Sequence, residues 1–472
     1  MDNRNDLWRY VDANKERFIA LSDRIWEMPE LNYEETRSVA EHTAELEHQG
    51  FRITKNVANI PTAVMGEAGE GGPVIAFLGE YDALPELSQM AGVAEQCPVE
   101  QGGNGHGCGH NLLGSASMLA AVAVKQWLEE NKIPGRVRYY GCPAEEGGGA
   151  KVFMVRDGAF SDADIAISWH PWCFWQVKPP RALATAGVDF HFKGRSAHSA
   201  QQPQLGRSAL DAVELMNVGV NYMREHMPSD ARVAYAILDA GGTAPNVVQA
   251  KASVRYGIRA RDTEGARDLV RRVTKIADGA ALMTETTVEV HLRNGVSNFI
   301  GNSPLERTMH SIMEELGPPH FDEDDRAFAR EIRATLSPDA LSANWRSIGL
   351  AQTDAPLADF TVPSDAPRNP EIASTDVADI SWVIPTVQAH APTYAIGTPF
   401  HTWQMVAQGK SGVAHKALVQ VAKAMAATGV AALTNPELIA AAKADLAARV
   451  GPNGYVSPLR PGATPPLPKF AP

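Results

Sequence analysis

The segment GGNGHGCGHN, residues 102–111, sets Cys108 and His110 two positions apart among glycines. In an extended stretch such residues project to the same side, and a thiolate with an imidazole is a ligand pair for Zn²⁺ and related divalent cations. The helix expected to follow turns its positive end toward Cys108 and favours the thiolate. His106 would crowd the same face and ranks behind these two, as a supporting residue. Cys-Gly-His alone is equally compatible with an ordinary glycine-rich turn, so other segments must decide. GCPAEEGGG brings adjacent Glu145 and Glu146, whose side chains point apart, so that one can bind metal while the other reaches a water. Trp169-His170-Pro171 supplies an imidazole, GTPFHTW supplies His401, and GEYDALP supplies Asp82. Cys108, His110, Glu146, His170 and His401 are therefore the candidate ligands. Three ligands hold one catalytic metal with an open position, so five allow two ions in a shared cage. Mixed thiolate, imidazole and carboxylate donors do not choose between Zn and Mn.

The elements that must bring these segments together are legible from hydrophobic periodicity. Helices are expected over residues 6–27, 34–49, 112–131 and 148–155, and strands over 51–57, 62–65, 73–78, 136–140 and 164–168. The run PVIAFL has no polar alternation, which marks a strand buried on both faces. Alternating strands and helices predict an α/β layer: a mixed, mostly parallel sheet with helices on both faces. In such sheets the carboxyl ends of the strands meet at a crevice where ligands bind. Asp82, Glu145, Glu146 and His170 each fall just after a strand.

Near Arg181 the pattern changes. Strand, helix, strand, strand, helix, strand follow at 188–193, 208–225, 233–239, 247–259, 263–282 and 287–292, the order of a ferredoxin-like α+β unit. The expected division is 1–183 and 298–450 for a catalytic domain, 184–297 for an inserted domain, and 451–472 for a Pro-rich, surface-tracking tail. Residues 321–370 form an elaboration with a helical centre near 325–335, and 418–450 reads as Ala-rich helix.

The chain has 472 residues, with 43 Lys+Arg against 55 Asp+Glu, a formal charge of −12. That sign repels phosphate backbones, and no basic stripe offsets it, so nucleic acid is not an expected partner. MDNRNDLWRY lacks the apolar core of a secretory signal, and no stretch reads as a membrane span, so no membrane partner is expected. Four cysteines are too few for a disulfide framework, which favours free thiols and a cytoplasmic location.

The motifs GEYDALP, GHGCGHN, PAEEGGG, the strand-terminal His-Pro, GRSAHSA, GGTAPNVV and GTPFHTW occur in this order and together resemble the M20 peptidase superfamily. Within it they are most similar to subfamily D, the branch of metal-dependent amidohydrolases with a cysteine ligand. HTW and STDVADISW (residues 374–382) point within that branch to one of the subunit types of the p-aminobenzoyl-glutamate hydrolases. The resemblance spans roughly residues 5–435. It implies metal ligation by Cys108, His110, Glu146, His170 and His401, Glu145 as general base, and Asp82 as support of the metal shell. It also implies His198, in GRSAHSA, as a donor to the tetrahedral oxyanion, commonly from a partner subunit. Asn246 and Arg259 would clamp a substrate carboxylate, Arg255 being the other arginine on that strand face. Asn111 departs from the branch, where Asp usually follows Cys-x-His. Trp172, Phe174 and Trp175 could line an aryl pocket or simply pack in the core.

The implied activity is hydrolysis of the amide of a small N-acyl amino acid, foremost an arylamide of the p-aminobenzoyl-glutamate type. The alternatives are another N-acyl amino acid, a small dipeptide, or hydrolytic deamination of an aryl amine. A non-catalytic metal-binding homologue ranks lower, because a structural metal needs no unligated carboxylate beside it. The resemblance further implies a homodimer formed through the inserted lid and dimerisation domain, and a related partner subunit.

Overall fold

The apolar run after Pro73 sits at the centre of the molecule because both of its faces are covered. The computed structural model describes residues 3–367 and 373–468. Among these, β1 (Arg52–Lys55), β2 (Val64–Glu70), β3 (Val74–Glu80), β4 (Gly135–Cys142), β5 (Ile165–Trp172) and β6 (Gln176–Val177) come first. A block of four follows, β7 (Ala184–Lys193), β8 (Arg232–Asp239), β9 (Lys251–Ala260) and β10 (Thr287–Val296), and then β11 (Thr386–Pro392). The first sheet runs β1-β2-β4-β3-β5-β11-β6. Its central strands β4, β3, β5 and β11 are parallel, and antiparallel pairs close either edge.

Every residue of β3 is buried. Ile75 and Phe77 point into the core shared with helices Asn3–Trp26, His110–Asn131 and Gly412–Thr434. Val74, Ala76 and Leu78 point the other way, toward helices Ala150–Arg156 and Val377–Ser381. Fully burying an Ile, Leu or Phe contributes about 1.5–3 kcal/mol, so two-sided burial fixes β3 as the sheet's axis.

Three features of the last third correct the sequence reading. Gly412–Thr434 is long and apolar enough to cross a membrane, contrary to the expectation that no stretch was. Here Leu418, Val421 and Met425 are wholly buried in the core between sheet and neighbouring helices. The single Ala-rich helix is two, Gly412–Thr434 and Pro436–Val450. Pro436 has no N–H to continue the first, and Asn435 Oδ1 caps the second by accepting from Glu437 and Leu438 N–H. The elaboration likewise holds two helices, Glu323–Ala334 and Pro338–Ile348.

The second sheet is wholly antiparallel, in the order β10-β7-β9-β8, with helices Ala209–Met223 and Thr263–Thr284 on one face. This is the ferredoxin-like arrangement. Its own core contains Val188, Phe190, Met216, Val254, Ile258 and Leu269. Alternation turns Asp189, Arg255 and Arg259 to the opposite face. The tail lies along the surface, with Tyr455 Oη donating to Asp379 Oδ1 (2.8 Å) and Arg267 donating to the Val456 and Ser457 carbonyls.

Candidate metal centre

Because β3, β4, β5 and β11 are parallel, their carboxyl ends share one edge, and the chemistry gathers there. β3 ends at Glu80, two residues before Asp82, and β4 ends at Cys142, three before Glu145. β5 continues past the expected stop at Ser168 to Trp172, because its pairing with β11 continues. His170 therefore lies within the strand, opposite His390. Cys108 and His110 meet this edge at the start of helix His110–Asn131. Gly109 makes that turn at φ 75°, and a Cβ there would come within 2.9 Å of Pro171 Cγ, so only glycine fits. His401 arrives on a loop beyond β11, its backbone N–H donated to the Gly107 carbonyl at 3.0 Å.

The donor atoms of Cys108, His110 and His170 lie within 4.8 Å of one another, as do those of Cys108, Glu146 and His401. A third such group is Glu80, His110 and Glu145. Asp82 Oδ1 is 2.8 Å from His110 Nδ1, and the Pro171 carbonyl is 2.8 Å from His170 Nδ1. Both oxygens can only accept, so each Nδ1 carries the proton and each Nε2 turns a lone pair inward. His170 Nε2 sits 3.4 Å from Cys108 Sγ, and His401 Nε2 sits 3.3 Å from Glu146 Oε2. Asp82 Oδ2 also accepts the Glu146 N–H at 2.9 Å, so one carboxylate braces two of the donor residues.

Three buried atoms at this centre, His110 Nε2, Glu80 Oε2 and Glu146 Oε1, have no hydrogen-bond partner among the described residues. Orphaned lone pairs converging with a thiol and two further imidazoles are what a divalent cation would satisfy, so the residues fit the metals that the sequence implies. Burial, with Glu146 beside it, pushes the Cys108 thiol well up. Burial, with the Lys178 ammonium nearby, drops His170 to about 3 and keeps it neutral. Burial, then the charges of Glu80 and Glu146, pushes Glu145 well up. A cavity of about 320 Å³ opens onto the cluster, walled partly by Cys108, Glu145, Lys178, Arg259 and Asp376.

The sequence-derived candidates divide. Cys108, His110, Glu145, Glu146, His170, His401 and Asp82 are together, and Arg259 faces them across the cavity. Arg255 is tied to Asp189 at 2.7 Å. His198 and Asn246 lie apart, side by side on an exposed turn where Ser199 N–H donates to the Asn246 carbonyl at 3.0 Å. His106 faces away, toward the Ile25 carbonyl (3.0 Å). Asn111 also faces away and joins Ser22 to the Gly409 carbonyl. Trp172 walls the cavity, stacked with His390 and Phe400, whereas Phe174 and Trp175 are core residues.

Sequence reasoning missed a buried chain that reaches His110 Nε2. Glu80 Oε2 is 3.3 Å from His110 Nε2, and Lys151 Nζ reaches Glu80 at 2.8 Å and Asp376 at 2.7 Å. Burial opposes the charge on Glu80, but the Lys151 ammonium, the largest opposing influence, holds it at about 2. The available signal was the spacing of Glu80 and Asp82, which puts both on one side at the strand's end.

The profile of peptidase family M20/M25/M40 matches residues 76–464. This chain belongs to that family. Its M20 relatives include one subunit of the p-aminobenzoyl-glutamate hydrolase of Escherichia coli (strain K12), 47% identical over 441 residues, which are 90% of this chain and 92% of the relative. The other subunit of that hydrolase is 29% identical over 242 residues, 48% of this chain and 53% of the relative. Among solved structures, a dinuclear metal-binding M20 peptidase from Bacillus subtilis superposes with TM-score 0.58 at 17% identity, covering 90% of this chain and 99% of that one. An aminobenzoyl-glutamate utilization protein from Klebsiella pneumoniae gives TM-score 0.54 at 15% identity, covering 89% and 97%. At those identities the two structures speak for the M20 fold.

Proposed function

We propose that this M20 chain is a metal-dependent amidohydrolase that cleaves the amide joining an aryl acyl group to an amino acid, with p-aminobenzoyl-glutamate as the leading substrate. The observation that carries the reading is the meeting of Cys108, Glu146, His170 and His401 with a further carboxylate, Glu145, around one cavity, with His110 grouped beside Cys108 and His170. Cys108, His110, Glu146, His170 and His401 would hold two divalent ions, zinc or manganese. When bound, these supply Lewis acidity toward the amide carbonyl and the attacking water. Asp82 keeps His110 in its ligating tautomer. Glu145 takes the proton of the attacking water and passes it to the departing amine nitrogen, a role suited to a carboxyl whose affinity for protons is raised by burial. The name of the 47% identical relative supplies the substrate class, and Arg259 with Lys178 offers cations to the carboxylates of a glutamyl product.

His198 and Asn246, exposed within one chain, would complete the site of a partner subunit. A homodimer through the four-stranded sheet is supported by Leu215, Val218 and Tyr222, exposed on one helix face, and by Tyr235 and Ile237 on edge strand β8. The relative's name makes it one subunit of a larger enzyme, which supports a related second subunit here as well. Four unpaired cysteines fit a reducing, cytoplasmic compartment.

The test is a hydrolysis screen with metal-reconstituted protein over p-aminobenzoyl-glutamate, acyl-glutamates, acyl-aspartates and dipeptides. Release of p-aminobenzoate and glutamate, abolished in Glu145→Gln with metal retained, is expected. Ammonia from an aminoarene with every amide inert would replace this reading with deamination, and inertness throughout would remove the enzymatic one.

A further inference from the structure

The two glutamates of the centre do not sit on a strand or a helix. They sit on a turn, residues 144–149, whose first residue is strained: Ala144 has φ 56°, a left-handed conformation that a residue with a Cβ adopts at a cost. Something must hold it. The Ala144 carbonyl accepts from both Gly148 N–H (3.0 Å) and Gly149 N–H (2.7 Å), closing the turn on itself. The Ala144 N–H is donated to Glu35 Oε1 at 2.8 Å, and Glu35 is wholly buried. Tyr33 Oη donates to the Gly148 carbonyl at 2.8 Å. A Cβ on Gly148 would come within 2.5 Å of Tyr33 Cε2 and of Ala144 Cβ, so the tyrosine closes directly over the turn.

Glu35 and Tyr33 belong to the turn between the first two helices, more than a hundred residues away in sequence. That same turn reaches the other side of the centre, where the Glu30 carbonyl accepts Ala83 N–H at 2.8 Å, next to Asp82. Asp82 in turn accepts the Glu146 N–H. The turn bearing the glutamates is therefore gripped at Ala144, Glu146 and Gly148 by three side chains from outside it.

We infer that Glu35 is a positioning residue for the Glu145–Glu146 pair: by holding the Ala144 peptide in its left-handed conformation, it aims one carboxylate at the metal cluster and the other at the attacking water. It needs an acceptor at Oε1 and contacts neither glutamate's carboxylate. Glutamine keeps that acceptor and alanine removes it. Glycine at 144 makes the left-handed conformation inexpensive and lessens the need for the grip. The assignment rests on the roles proposed above for Glu145 and Glu146, but the holding of the turn can be read without them.

The experiment compares Glu35→Gln, Glu35→Ala and Glu35→Ala/Ala144→Gly in the full chain. Hydrogen exchange of the segment containing residues 144–149 is followed by mass spectrometry, Zn²⁺ affinity by competition with a chromogenic chelator, and kcat and KM on p-aminobenzoyl-glutamate. Glu35→Ala is expected to exchange at least about tenfold faster in that segment, to bind Zn²⁺ about tenfold more weakly, and to lose kcat about tenfold or more with KM within about twofold. Glu35→Gln should stay within about threefold of the parent, and Ala144→Gly should restore part of the loss. Unchanged exchange in Glu35→Ala, or equal losses in the Gln and Ala variants, overturns the positioning role. Faster exchange with Zn²⁺ affinity and kcat unchanged also overturns it, because the grip would then not serve the glutamates. A parent that neither binds Zn²⁺ nor hydrolyses any amide overturns the proposed function instead.

Discussion

The Lys151 ammonium lies 2.8 Å from the Glu80 carboxylate, and both side chains are buried. Asp376 lies at 2.7 Å on the other side of the same nitrogen, so one buried cation serves two buried anions beneath a candidate metal ligand. Removing one partner of such a group costs more than forming the group gains, because the remaining charges stay in a medium that cannot solvate them. Lys151→Met should therefore lower unfolding free energy by about 3–5 kcal/mol, read from denaturant midpoints. Asp376→Asn added to it should recover part of the loss. Equal stability of Lys151→Met and the parent would mean that the network is not charged as described.

Arg259 and Arg255 share a strand face but not an environment. Arg255 is engaged by Asp189, whereas Arg259 borders the cavity. Arg259→Ala should raise KM for an acyl-glutamate about 10–100-fold with a smaller effect on kcat, the range for losing a hydrogen bond to a charged group. Arg255→Ala should leave KM near that of the parent. The reverse pattern in steady-state kinetics would move the carboxylate site to Arg255.

His198 is exposed and does not line the cavity of its own chain, which makes its role testable by mixing. Glu145→Gln and His198→Ala should each be inactive alone. If His198 serves a neighbour's site, subunit exchange between them should restore activity at up to about a quarter of the sites, because half the dimers are mixed and each carries one intact site. No recovery after verified exchange would place His198 outside the reaction.

The fold was legible in the sequence to the extent that hydrophobic period and strand order determine it. PVIAFL announces a strand buried on both faces, and the β-α-β-β-α-β order announces the second sheet. The Cys, His and Glu ligand candidates were legible because several separate segments deliver metal-binding side-chain types to one edge of the sheet, a convergence that chance seldom produces. Glu35, Lys151 and Asp376 were not. A lone lysine after three glycines and an alanine reads as a solvated residue, and Glu35 reads as the acidic start of a helix. Only the packing of distant segments closes water away from them. The break at Asn435-Pro436 was legible in principle, since proline stops a helix, but the alanine run around it obscured the boundary.

His42 is buried against the Tyr139 hydroxyl at 2.7 Å, and burial, with Arg24 adding to it, lowers its pKa from 6.5 to about 3. The unfolded chain therefore binds a proton at His42 that the folded chain refuses between those two values. The stabilisation is complete above pH about 6.5 and is lost as pH falls toward about 3, at up to about 1.4 kcal/mol per pH unit. His42→Gln should show a shallower decline in unfolding free energy than the parent across this window. Parallel curves would mean that His42 titrates normally in the fold.

The most direct test of the account is anomalous diffraction from crystals of the full chain grown with Zn²⁺ or Mn²⁺. Two peaks enclosed by Cys108, His110, Glu146, His170 and His401, with Glu145 beside them and unligated, are predicted. An absence of peaks at this cluster under saturating metal, or Glu145 serving as a ligand while Glu146 stands free, would contradict it.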